Sequence, residues 1–363
     1  MFRTGRRSFT RSLLGFLGAA PLVPGTAWPA GPRQPARRPS LTDVDGLLVG
    51  HYTYTKRPTG CTVITSETPF AAGVDVRGPA PGTRETDLLR AEKTVDRVHA
   101  IMLAGGSAFG LDAAGGVMRY LEEQGRGIDV EVARVPIVPA AILFDLRVGD
   151  AKLRPDAAAG YEAARAASRA PVQEGNVGAG AGATVGKMLG TSRAMKAGLG
   201  SWSLERSDGL KVGALVAVNC VGDVIDPARG VIVAGARKDD GSGFLDIAAQ
   251  LRRGYQPGAP FHENTVIGVV ATNAALGKAE CNTVAQLAQA ALGRSIRPAH
   301  TPWDGDTVFA IATGTWSSKV GSPVAGLIGV LAADVLATAI LRGVLAAESY
   351  SPYPAARDYP RKK

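Results

Sequence analysis

Short apolar, β-branched runs recur along the chain: LLVG at 47–50, CTVIT at 61–65, AAGVDV at 71–76 and VHAIMLA at 98–104. Later come KVGALVAVNCVG at 211–222, GVIVAGA at 230–236, TVIGVVATN at 265–273 and TVFAIATG at 307–314. Gly, Pro, Asn or Asp bound each run, as they bound strands. Between some of them the apolar spacing changes to three and four, which predicts helices over 83–97, 110–124, 154–168, 283–292 and 324–347. Strands and helices mixed in this way predict a layered α/β domain. The last helix is apolar nearly all round, which suits a buried helix or a membrane span. Asp334 and Arg342 within it would each cost ~3 kcal/mol in lipid, so burial between protein layers is the better reading and no integral span is expected.

The start of the chain reads differently. GRRSFTR at 5–11 precedes the apolar run SLLGFLGAAPLV, the layout of an export signal. Arg6-Arg7 with Phe9 resembles the twin-arginine type, with Thr10 where a Leu is usual, and implies a periplasmic or secreted protein. GPRQPARRPS then reads as a linker, so residues 1–40 are expected to be signal and linker and 41–363 one domain. The same segment explains the charge. The chain carries 41 basic and 32 acidic residues, but seven Arg and no acid lie in the first forty positions. Without them 34 basic residues face 32 acidic ones, which removes most of the support for a nucleic-acid partner. Three Cys without a C-x-x-C cannot make a disulfide framework, and an exported chain would have to bury them or leave them unpaired. Four scattered His lack metal-ligand spacing, and no cofactor or metal is expected.

Four segments invite chemistry. In GNVGAGAGATVG at 175–186, Gly178, Gly180 and Ala183 satisfy a dinucleotide spacing, but no good strand precedes them and no good helix follows. Gly186-Lys187 has Met188 where a phosphate loop needs Ser or Thr, so close backbone packing is the better account. GGSAFG at 105–110 lies where a nucleophile elbow would sit, but Phe109 occupies the required Gly position. Ser107 is read there as a helix cap, with a substrate contact left open. At Asn264-Thr265 a polar, turn-rich stretch meets a convincing strand. Thr265 would open that strand at the end of an exposed loop, where its hydroxyl could attack the carbonyl of Asn264. Freed as a chain end, its α-amine, with an ordinary pKa near ~8, can act as the hydroxyl's own base. Asn282-Thr283 is a similar pair, but a helical pattern follows it, so Thr283 reads as a cap. Asp304-Gly305-Asp306 is a turn or a catalytic pair, with too few carboxylates for a calcium cage.

Seven blocks in order carry a resemblance: LTDVDGLLVGH (41–51), TRETDLL (83–89), GGSAFGLDAAGGVMRYLEE (105–123), VPIVPAAILFDL (135–146), GNVGAGAGATVGK (175–187), NTVIGVVATN (264–273) and RPAHTPWDGDTVFAIATG (297–314). Together, from about Leu41 to Arg342, the chain resembles the P1-type peptidases related to the L-aminopeptidase/D-esterase. The resemblance implies a four-layer αββα sandwich, as in the ornithine-acetyltransferase-like folds. It implies self-cleavage into chains 41–264 and 265–363 that stay together and assemble into oligomers. It also implies trimming of small peptides, amides or esters. Thr265 matches the nucleophile, and Asn264 supplies the cleaved carbonyl. Asn219, placed in the strand LVAVNCVG, matches an oxyanion donor, a role worth ~3 kcal/mol. Asp306 keeps the family's acid, while Asp304 replaces a Ser and could raise one pKa by like-charge repulsion. Ile142 falls where some members carry a Tyr beside the nucleophile. Hydrolysis and acyl transfer share an acyl-enzyme, so the residues alone leave both open, with a non-catalytic exported ligand-binding protein as the third possibility.

Overall fold

One strand, Gly60–Val76, organises the molecule. The structure is a computed structural model and describes residues 38–257, 264–316 and 325–359; the expected export signal lies outside them. The first part of the long strand pairs with Leu47–Thr53 and Val98–Ala104, and its last six residues pair with Thr307–Ala312. Between the two parts the register shifts, with Glu67, Thr68 and Pro69 exposed. A Pro cannot donate to a ladder, so it suits this break. What the sequence pattern read as two strands, 61–65 and 71–76, is one strand shared by two half-sheets.

The full order runs Leu199–Glu205, Lys211–Ala217, Ile267–Thr272, Thr307–Ala312, the long strand, Val98–Ala104, Ala140–Ile142 and Thr83–Arg84. Ile267–Thr272 and Thr307–Ala312 are parallel neighbours, whereas most other pairs are antiparallel. Side chains alternate between faces along each strand. Cys61, Val63, Ala100, Met102 and Ala104 form one cluster with helices Ala113–Glu123 and Ala157–Arg165. The intervening Ile64, Ile101 and Leu103 turn inward and join a central core with Leu215, Val269 and Phe309. Helices Lys278–Ala288 and Ala325–Leu345 cover the other half-sheet. The result is a helix–sheet–sheet–helix stack, the four-layer αββα architecture.

Two glycines let the outer helices touch. A Cβ on Gly116 would lie 1.7 Å from the Ala157 carbonyl, and one on Gly160 1.8 Å from that of Ala113. The apolar helix Ala325–Leu345 is long enough to cross a membrane, yet eleven of its residues are buried against protein. Asp334 is paired with Arg294 at 2.8 Å, and Arg342 forks onto Glu174.

Several expectations need correction. Residues 83–97 do not form an α-helix: Thr83–Arg84 is a short edge strand, Asp87–Leu89 a 3-10 turn, and Glu85 has φ +58°. Leu89 is the one fully buried side chain there, too little apolar surface to hold a helix on the core. The helix expected at 283–292 begins earlier, at Lys278, and a second short helix spans Ala290–Ser295. Thr283 therefore lies inside a helix, its hydroxyl donating back to Ala279, and caps nothing. Ser107 is not a cap either. It opens the 3-10 segment Ser107–Asp112 with φ +56°, and its N–H donates to Leu143. All three cysteines are free and buried.

Candidate active site

The site forms where three loops meet at the ends of the central strands. The strand after Thr265 begins at Ile267, so Asn264 and Thr265 lie just before it. Both are buried, at 2% and 4% exposure, although residues 252–256 of the preceding loop are exposed. Packing holds them from two sides. Asn264 bridges to Asp304, and Thr307 N–H donates to the Val266 carbonyl at 2.9 Å. The Thr265 hydroxyl donates to the carbonyl of Asn264, the group it would attack. Its backbone N–H donates to the carbonyl of Asn219 at 3.0 Å.

Asn219 lies two residues beyond the strand Lys211–Ala217, not inside it. Its side-chain oxygen accepts the Thr184 N–H at 3.0 Å and the Lys187 ammonium at 2.9 Å. Its amide nitrogen donates to the Phe144 carbonyl at 3.0 Å. The Lys187 ammonium also reaches the Asn219 carbonyl, at 3.3 Å. One carbonyl oxygen therefore receives both the Thr265 nitrogen and a lysine cation. If Thr265 became a chain end, its amine would sit beside that cation. Like charge disfavours protonation, so the amine would be kept available as a base.

The two carboxylates come from the loop before Thr307. Gly305 lets it pass close to the segment at 78–81: a Cβ there would meet the Ala80 carbonyl at 2.2 Å. Asp306 accepts the Val266 N–H at 2.8 Å on one oxygen and His300 Nδ1 at 2.9 Å on the other. Asp304 accepts the N–H and hydroxyl of Thr301, both at 2.7 Å, on one oxygen. Its other oxygen is buried with no hydrogen-bond partner among the described residues. Burial first, and then the neighbouring Asp306 charge, push the Asp304 carboxyl up to about 6. The Cys220 thiol beside Asn219 is pushed well above its ordinary value by burial, which makes it a poor nucleophile.

The structure thus brings together Thr265, Asn264, Asn219, Asp304 and Asp306. Ile142 packs into the helix-side cluster and brings no polar group toward the nucleophile. Ser107 sits on the neighbouring loop, tied to Leu143, one residue from the Phe144 carbonyl that holds Asn219. Two site residues escaped the sequence reading. In the sequence Lys187 reads only as part of a phosphate loop; its signal is a lone cation in an apolar, Gly-rich run. His300 reads as one of four scattered histidines, and only the fold brings it onto Asp306.

A buried threonine hydroxyl lies against the preceding carbonyl, with carboxylates and a lysine around it, an arrangement compatible with an N-terminal-nucleophile hydrolase. The model of peptidase family S58 matches residues 39–355, and the chain belongs to that family. It is an enzyme of the aminopeptidase type. An uncharacterised aminopeptidase of Mycobacterium leprae (strain TN) is 44% identical over 341 residues, covering 87% of this chain and 92% of the relative. A 6-aminohexanoate-oligomer endohydrolase of Kocuria sp. (strain KY2) is 31% identical, covering 85% and 87%. The L-aminopeptidase D-Ala-esterase/amidase structure from Ochrobactrum anthropi, described as a variant of the Ntn hydrolase fold, superposes with a TM-score of 0.64 at 22% identity, covering 89% and 91%.

Proposed function

We propose that the chain cuts itself between Asn264 and Thr265 and then hydrolyses small peptides, amides or esters through an acyl-enzyme on Thr265. The supporting observation is the placement of the Thr265 hydroxyl against the Asn264 carbonyl inside a buried, pre-formed site. Attack of the hydroxyl oxygen on that carbonyl carbon forms an ester, and the peptide nitrogen leaves with the proton as the Thr265 amine. Water then releases the Asn264 carboxylate. In each later turnover the Thr265 amine draws the proton from its own hydroxyl as this attacks the substrate carbonyl. The Asn219 carbonyl orients that amine. The Asp306 carboxylate fixes the Val266 peptide behind the nucleophile. The oxyanion role of Asn219 would need its amide nitrogen to leave Phe144, so Lys187 is the readier cation for developing negative charge.

The test is N-terminal sequencing and intact mass of the purified protein. Wild type should yield a chain beginning Thr-Val-Ile-Gly, while Thr265→Ala stays whole and inactive. An active wild-type preparation containing only uncut chains would overturn the proposal. The same mass would report removal of the export signal, which we propose directs the protein to the periplasm or beyond. Size-exclusion chromatography with light scattering would test the expected oligomer of cleaved units.

The Kocuria relative, named for cutting 6-aminohexanoate oligomers, supports a second reading of the substrate: linear amides whose cut bond lies inside the chain. An N-acetylated oligomer separates the two. An aminopeptidase leaves it intact, whereas an internal hydrolase cleaves it.

A further inference from the structure

The loop that carries the two acids closes on itself through two nested contacts. Thr301 folds onto Asp304, three residues on, and His300 folds onto Asp306, six residues on. The first contact is a turn of familiar kind. The second forces His300 into the left-handed region at φ +53°, a conformation costing a non-glycine residue about 1 kcal/mol or more. The ring lies at the surface side of the site, with its side chain 24% exposed, while the Asp306 side chain beneath it is 3% exposed. With the carboxylate ionised, and so only an acceptor, Nδ1 is the donor in this contact.

The contact continues inward. The Asp306 oxygen not held by His300 accepts the Val266 N–H, the first peptide N–H after Thr265. Val266 in turn is tied to Thr307 through its carbonyl. Rotation of the Asp306 carboxylate would release the peptide that fixes where the Thr265 side chain points. Asp304 does not provide this brace, because its held oxygen faces Thr301 and its other oxygen is unpartnered.

We propose that His300 is a positioning residue for Thr265, acting through Asp306 and the Val266 peptide both in self-cleavage and in turnover. This rests on the proposed nucleophile. Loss of a hydrogen bond to a charged group, converted to rate, corresponds to about a 10–100-fold drop.

Two variants separate positioning from folding. His300→Gly removes the ring and relieves the left-handed backbone, so its melting temperature should stay at or above that of wild type. Its self-cleavage rate and its kcat on amino-acid p-nitroanilides should each fall about 10–100-fold, with KM within about twofold. His300→Asn tolerates the same backbone and places its amide nitrogen at the same bond count as Nδ1, so it should restore both rates to within about threefold of wild type. The inference fails if wild type cuts itself and His300→Gly cuts and turns over equally fast, or if Asn is no better than Gly. It also fails if the losses follow the melting temperature. A wild-type chain that stays whole, indistinguishable from Thr265→Ala, overturns the nucleophile reading beneath it and this inference with it.

Discussion

Two buried aspartates in this molecule have opposite surroundings. Asp145 is saturated: one oxygen accepts the Arg57 guanidinium at 2.7 Å and the Gly106 N–H at 2.9 Å, and the other accepts the Thr59 hydroxyl at 2.7 Å. Arg57 also donates to the carbonyls of Val148, Leu153 and Asp145, so the pair ties several loops into one block. Asp304 is as deeply buried, but one of its oxygens is left open and a second carboxylate stands beside it. Burying a charge is costly unless it is paired and hydrogen-bonded. The protein meets that requirement where the aspartate builds loops and leaves it unmet beside Thr265, where an unsatisfied group is available for chemistry.

Asp145→Ala should have the largest effect. It strands the Arg57 cation in the core, so stability should drop by about 3–5 kcal/mol, measured by chemical denaturation. A change below 1 kcal/mol would mean the block is not held by that pair. Asp304→Asn should act in the other direction. Because the carboxyl is raised from 3.8 to about 6, its ionisation opposes folding. The wild-type molecule is favoured below pH ~4, loses stability as pH climbs through about 6, and carries the full penalty above that. The Asn variant should gain up to about 3 kcal/mol at pH 8 and nothing at pH 3.5, while self-cleavage slows. Asp223, also raised to about 6 by burial, will leave part of the wild-type slope in place. The smallest effect should come from Arg294→Ala, which breaks a half-exposed pair with Asp334 and should cost under about 1 kcal/mol in the same denaturation experiment.

Much of this could be read before folding. The strands Val98–Ala104 and Thr307–Ala312 and the buried helix Ala325–Leu345 follow from local apolar patterning, because each buries residues at a regular spacing. Thr265, Asp304 and Asp306 stand out because they sit at strand boundaries in polar, turn-forming stretches. The segment 83–97 misled because Leu88, Ala91 and Val95 are spaced by three and four, yet an edge-strand contact with Ala140–Ala141 outweighs so weak an apolar stripe. Lys187 and His300 were not legible in role. Their meaning comes from contacts 32 residues away in the first case and across a left-handed turn in the second, and neither leaves a periodic trace.

The order of strands has a consequence for assembly in the cell. Ile267–Thr272 and Thr307–Ala312 lie side by side in mid-sheet, flanked by Lys211–Ala217 on one side and by the long strand on the other. A backbone severed before Thr265 therefore produces two polypeptides that are interleaved, not adjoining. Neither could depart without exposing raw ladder edges on both, so such a scission would be a one-way step. Gene halves expressed separately should find each other only while still nascent, never as finished parts.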